Sequence, residues 1–311
     1  MILSASRRTD IPAYYPEWFI NRIREGYVLV RNPMNYHMIS KINLAPEVVD
    51  CIVFWSKNPK PLEKYLPELD GKYMYYFQYT VNGYGKDVEP NIPSVDERID
   101  TFKRISEKVG KGRVIWRYDP IIITDKYTPD WHTGMFKYIA KKLGNYTDEC
   151  VFSFVDLYDK IKTNMRLLHY TGMTNAIMKE LAQHFSTAAA ENCIALKTCS
   201  EELELSEYNI GHSCCIDPAL ISRLTNANIK AKKDKNQRES CGCAESIDIG
   251  QYNTCKNGCV YCYANYSKDS VNSNCHKHDD SSPLLIGHVQ NDDSISERKI
   301  ATLKDNQLSF F

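Results

Sequence analysis

The sequence predicts an α/β protein folded as a complete or partial (β/α) barrel of the TIM type. Three observations predict it. Short apolar runs rich in β-branched and aromatic residues recur through the first 200 or so positions, as strands buried on both faces require. Helical stretches with their own start and stop signals separate them, and such alternation argues for a parallel sheet. Charged and polar residues gather just after successive runs, where barrel strands present their chemistry.

Taken in order, the strand runs are residues 2–6, 52–55, 73–79, 114–117, 151–154 and 194–197. Residues 28–30 and 38–42, separated by Asn32-Pro33, read as a hairpin excursion outside the barrel. The first helix covers 17–24, with Trp18, Phe19, Ile20 and Ile23 as its apolar side and Gly26 as its stop. Ser94 caps a helix whose stripe is Ile99, Phe102, Ile105 and Val109, ending at Gly110. Thr128-Pro129 starts another helix, which Gly144 ends, and Asp217-Pro218 repeats that start signal. Residues 1–265 are thus expected to form one domain. From Lys268 to Asp280 the chain turns to Ser, Asn, His and Asp, so 266–311 reads as a loop-rich or partly disordered tail.

Lys+Arg and Asp+Glu both number 39, so charge gives no support to a nucleic-acid partner. No apolar run approaches the roughly 20 residues that span a bilayer, and the leading apolar stretch is too short for a signal peptide. A cytoplasmic protein without a membrane partner is the expectation. In that reducing compartment, 12 cysteines point to metal or redox work rather than disulfides. Cys51 and Cys150 sit in or beside apolar runs and read as buried small hydrophobes.

The other cysteines crowd the second half, and one group is a motif: Cys255-Lys-Asn-Gly-Cys259-Val-Tyr-Cys262. Three thiolates at this C-x3-C-x2-C spacing can hold three irons of a [4Fe–4S] cluster and leave the fourth open to an external ligand. Structural zinc is the competing reading, with a fourth ligand from Cys241, Cys243, Cys275, His276 or His278.

The motif resembles the cluster loop of radical-SAM enzymes, in which an aromatic residue precedes the third cysteine, here Tyr261. The strings SASRRTDIPAYY, FWSKNPKP, WRYDPII, SFVDLYDK and CGCAESIDIGQYNTCKNGCVYCYAN resemble an uncharacterised radical-SAM-like family whose cysteine motif lies at the C-terminal end of its domain. The ending Cys-Val-Tyr-Cys-Tyr-Ala is also similar to the cluster loop of spore photoproduct lyase. The resemblance implies S-adenosylmethionine as cofactor, its reductive cleavage to a 5′-deoxyadenosyl radical acting on a further substrate, and an electron donor such as flavodoxin or ferredoxin. It implies too that Tyr261 lies against the adenine. The alternative is a non-catalytic iron–sulfur or zinc protein, either an electron carrier or a structural metal module.

Two features depart from the ordinary radical-SAM pattern. The cysteine loop comes last, whereas it usually follows the first strand. A barrel is cyclic, so a strand near 246–249 carrying the loop can sit beside the first strand and restore the usual place. No glycine-glycine-glutamate segment stands ready for the methionyl amine.

A second thiol set lies upstream. Cys199, Cys215, Cys241 and Cys243 supply four thiolates, enough for an auxiliary iron–sulfur cluster or for zinc, with plain packing as the alternative. Of the pair Cys214-Cys215, the resemblance favours Cys215. Residues just past the strands complete the candidate site: Arg7, Arg8 and Asp10, then Lys57, then Arg117 and Asp119. The cations suit a carboxylate, a phosphate or an anionic substrate. Salt bridges within Arg8–Asp10 and Arg117–Asp119 are the alternative use. The tyrosines of 73–84 could stack a base, although strand packing explains them as well.

Overall fold

The computed structural model describes residues 1–157, 159–238 and 240–305. Its strands are β1 (Ile2–Ala5), β2 (Tyr27–Asn32), β3 (Asn35–Asn43), β4 (Cys51–Ser56), β5 (Tyr75–Thr80), β6 (Val114–Ile121), β7 (Glu149–Phe154), β8 (Ala195–Cys199), β9 (Gly211–Ser213), β10 (Ile247–Asp248) and β11 (Ser294–Glu297). The helices are α1 (Ile11–Tyr14), α2 (Pro16–Glu25), α3 (Leu66–Leu69), α4 (Val95–Val109), α5 (Pro129–Leu143), α6 (Lys162–Leu167), α7 (Asn175–Ala190), α8 (Pro218–Thr225) and α9 (Lys268–His276). None of the described helices is long and apolar enough to cross a membrane.

Eight strands form one sheet in the order β10-β1-β4-β5-β6-β7-β8-β9, and every neighbouring pair is parallel. Chain order is kept except at one edge, where the late strand β10 returns beside β1 with Leu3 opposite Ile247 and Ser4 opposite Asp248. The strand expected near 246–249 therefore lies where a cyclic order required it.

The sheet is not a closed barrel: β9 and β10 are its two edges and do not pair with each other. Side chains on alternate positions of the strands point to opposite faces. Leu3, Phe54, Phe77, Trp116 and Phe152 belong to the core shared with the flanking helices. Ile2, Val53, Tyr76, Ile115 and Val151 meet Ile216, Leu220, Ile221 and Ile229 on the other face. Helix α8 and the segment after it thus lie against that face of the sheet, and the edge strands β9 and β10 are only three and two residues long.

The punctuation signals act as anticipated. Ser94 and Glu97 form a capping box at α4, Thr128 caps α5, Asp217 caps α8, and Gly26 ends α2 at φ +75°. The hairpin of β2 and β3 forms a separate antiparallel pair, which β11 extends on its far side. Segment 266–305 carries α9 and β11, and it is docked: Trp18 Nε1 donates to the carbonyls of Ser282 and Leu284 at 2.9 and 3.1 Å. Residues 306–311 of the expected tail lie outside the described residues.

Candidate functional site

The strand β10 ends at Asp248, and that carboxylate fastens it to β1. It accepts from Ser4 Oγ at 2.9 Å, Ser6 Oγ at 2.6 Å and the Arg7 amide at 2.8 Å. Gly250 follows at closest approach, for a β-carbon there would stand 2.0 Å from Ser6 Oγ. The cysteine loop is next, held from several sides. Tyr15 donates to the Thr254 carbonyl at 2.5 Å, Tyr14 to Asn257 Oδ1 at 2.7 Å and Asn265 to the Cys255 carbonyl at 2.5 Å. Gly258 takes φ +69°, a conformation that favours glycine between the first two cysteines.

Cys255, Cys259 and Cys262 line one cavity of about 150 Å³, and Arg7, Arg8, Asp10, Lys57, Arg117, Asp119 and Tyr261 line it with them. Every member of the expected first site is thereby brought to one place. Burial pushes the thiols of Cys255, Cys259 and Cys262 up from their ordinary range, as desolvation of a thiolate demands.

The charged residues do different jobs. Asp10 is buried and accepts from Ser56 Oγ at 2.6 Å, the Lys57 amide at 2.8 Å, the Ala13 amide at 3.1 Å and Asn257 Nδ2 at 3.1 Å. It joins α1, the end of β4 and the cysteine loop; the Arg8 bridge does not form, and Arg8 lies over Tyr252 at 5.1 Å instead. Arg117, fully buried, donates to Cys215 Sγ at 2.8 Å and to Asp119 at 3.1 Å, so this second expected bridge is present. Burial opposes ionisation of Asp119, but the neighbouring Arg117 and the Ser153 hydroxyl outweigh it and hold the carboxyl below its usual range.

Among the described residues, three N–H groups of the lining have no hydrogen-bond acceptor: Arg7 Nη2, Trp55 Nε1 and Lys57 Nζ. Lys57 nonetheless stands 3.0 Å from Glu89 Oε1 as an ion pair. Glu89 is the residue that sequence reading missed. It is fully buried behind the cavity, paired with Lys57 and 3.6 Å from Arg98, and it accepts from the Tyr261 hydroxyl. Nothing local marks it, because its partners come from β4, α4 and the cysteine loop. The same bond turns the Tyr261 hydroxyl inward, with Lys57 5.4 Å from the ring centre. The tyrosines of 73–84 prove to be packing residues: Tyr73, Tyr75, Tyr76, Tyr79 and Tyr84 all spend their hydroxyls on internal acceptors.

The upstream thiols meet elsewhere, on the sheet face covered by α8. Cys199 Sγ stands 2.9 Å from Cys215 Sγ, and the Ile216 amide donates to Cys243 Sγ at 3.5 Å. Among the described residues, neither cysteine set has three sulfurs all within 4.8 Å of one another. Cys51 and Cys150 are buried and apolar in surroundings, as expected.

Fold and site together define an α/β protein with an open, all-parallel sheet and a cysteine loop beside its first strand. The chain belongs to the family described as a domain of unknown function, DUF1848, whose model matches residues 2–264. No curated protein and no solved structure matches the chain.

Proposed function

We propose that the chain is a radical-SAM iron–sulfur enzyme acting on an anionic substrate, and that its open sheet is a partial (β/α) barrel. One observation carries the reading: a C-x3-C-x2-C loop beside β1 shares its cavity with Arg7, Arg8, Lys57 and Arg117, and among the described residues Arg7 Nη2 and Trp55 Nε1 there have no acceptor. Donor chemistry fits the cluster. Three thiolates at this spacing can hold three irons and leave the fourth without a protein ligand, whereas structural zinc asks for four. A [4Fe–4S] cluster with one iron left open supplies the electron for reductive cleavage of S-adenosylmethionine when both are bound.

The chain's own residues supply binding and orientation. Cys255, Cys259 and Cys262 hold the cluster. Arg7, Arg8, Lys57 and Arg117 face a lining that carries only Asp10 and Asp119 as carboxylates, so the cavity favours negative charge. Arg7 and Trp55 offer N–H groups to a carboxylate or phosphate, and Lys57, paired with Glu89 behind it, lines the same space. Asp10 sets the loop's position through Asn257 rather than touching the ligand. An electron donor such as flavodoxin or ferredoxin would serve it in a reducing compartment.

The test is anaerobic purification and cluster reconstitution, followed by EPR of the reduced protein with and without S-adenosylmethionine. A [4Fe–4S]⁺ signal that shifts with the cofactor is expected, and Cys259→Ala should lose the signal and the visible absorbance. A signal indifferent to the cofactor would make the protein an electron carrier, and retained iron in Cys259→Ala would sink the ligand assignment.

A further inference from the structure

We propose that Cys199, Cys215, Cys241 and Cys243 form a second, closed four-thiolate metal centre that ties together the two open edges of the sheet. The four thiols come from separate stretches of chain. Cys199 ends β8, Cys215 follows β9, and Cys241 and Cys243 precede β10. All four are buried, at 8, 4, 6 and 2% exposure. Backbone hydrogen bonds bring the carriers together: the Ala244 amide donates to the Ile216 carbonyl at 3.0 Å, and the Ile216 amide reaches Cys243 Sγ. Gly242 lets the turn approach, since a β-carbon there would stand 2.6 Å from Cys214 Sγ. Cys214 is thereby placed against the turn, leaving Cys215 to face inward.

Packing alone leaves the charges unexplained. Arg117 is buried and aims Nη1 at Cys215 Sγ from 2.8 Å, with Asp119 as its one carboxylate partner among the described residues. Arg7 reaches the same region from the other side, 3.6 Å from Asp234, with Nη2 unpartnered. A neutral thiol is a poor reason to bury a guanidinium. Four thiolates around a divalent metal, or around an oxidised [4Fe–4S] cluster, leave about two negative charges, and the buried Arg117 guanidinium at Cys215 Sγ offsets part of them. With every position taken by protein, such a centre is structural and has no room for an external ligand. Zinc and an auxiliary cluster share this chemistry. Cys199 and Cys215 already stand 2.9 Å apart at their sulfurs, and the Ile216 amide holds Cys243 Sγ beside them at 3.5 Å.

The centre is independent of the cluster proposed at Cys255, Cys259 and Cys262, and one set of variants separates them. The triple variant Cys255→Ala, Cys259→Ala, Cys262→Ala is purified anaerobically and its zinc, iron and sulfide are counted. About one zinc, or about four irons with matching sulfide, should remain per chain. Adding Cys215→Ala and Cys243→Ala should remove that metal and lower the midpoint of thermal unfolding. A folded triple variant free of both metals, with its remaining thiols open to titration after unfolding, would overturn the proposal. Should the triple variant fail to fold, the wild-type count decides. Metal beyond a single four-iron cluster supports the second centre, as does zinc that survives Cys259→Ala; metal equal to one cluster, all lost in Cys259→Ala, overturns it.

Discussion

Asp10 concentrates four hydrogen bonds on one buried carboxylate, received from Ser56, the amides of Lys57 and Ala13, and Asn257. Replacing it by Ala strands those donors in the interior, where each unsatisfied group costs about 1–3 kcal/mol. Asp10→Ala should therefore lower the unfolding free energy by about 3 kcal/mol or more in denaturant titration, and Asp10→Asn, which keeps an acceptor, by less. An Asp10→Ala variant of undiminished stability would show that the cysteine loop is held from elsewhere. At this scale the sequence is a good guide to which residue types collect at the site and a poor guide to their roles. Asp10 follows β1 and Arg117 lies within β6, yet the first is a joint between three segments and the second spends its guanidinium on Cys215 and Asp119. Side-chain partners distant in sequence decide such roles, and Glu89, with neither motif nor periodic position, is found through its partners alone.

Among the elements, β10 is the one on which the site depends. It is two residues long, too short for alternation to announce it, and it is held by Asp248 as much as by its ladder. The turn out of it passes Ser6 so closely that residue 250 has no space for a methyl group. Gly250→Ala should push the cysteine loop off β1. The expected result is a chain that keeps its far-UV circular dichroism but takes up much less iron on anaerobic reconstitution than wild type. Equal iron uptake would mean that the loop tolerates displacement from Ser6. Helices α2 and α4 were legible because their signals are local: the Ser94–Glu97 box and the stop at Gly26 act within one turn of helix, whereas α7, at 16 residues the longest, went unread. Strand β9, of three residues, carried no such signal.

Across the whole molecule, stability should depend on acid through His132. This histidine lies buried between helix α5 and the end of β6. Its Nδ1 accepts from the Tyr118 hydroxyl, and its Nε2–H donates to the Ile122 carbonyl at 2.9 Å. Desolvation disfavours the imidazolium and lowers the pKa from 6.5 to about 4. The folded state therefore binds the proton less readily than the unfolded chain. Stability from this group is complete above pH 6.5 and is lost as pH falls from 6.5 towards 4, by about 3 kcal/mol in all. Unfolding free energies measured from pH 7.5 to 4 should fall along that window, and His132→Gln should flatten the slope. A slope unchanged in the variant would place the acid sensitivity in other groups. Segment 266–305, loop-rich with α9 and β11 as its elements among the described residues, supplies the carbonyls that receive Trp18 and the carboxylate, Asp293, that pairs with buried Arg31.

By itself the sequence determined the parallel α/β class, most strand positions, the helices α2, α4, α5 and α8, the cysteine loop and the company of cations around it. Those features rest on short-range causes: side-chain period, capping chemistry and the fixed spacing of thiols along a turn. Only the tertiary structure decided that the sheet stays open, with the short β9 and β10 as its edges and α8 packed on one face. It alone decided that Glu89 backs Lys57 and that four scattered cysteines share one buried region, since contacts between distant segments are fixed by how whole elements pack and not by any local run of residues.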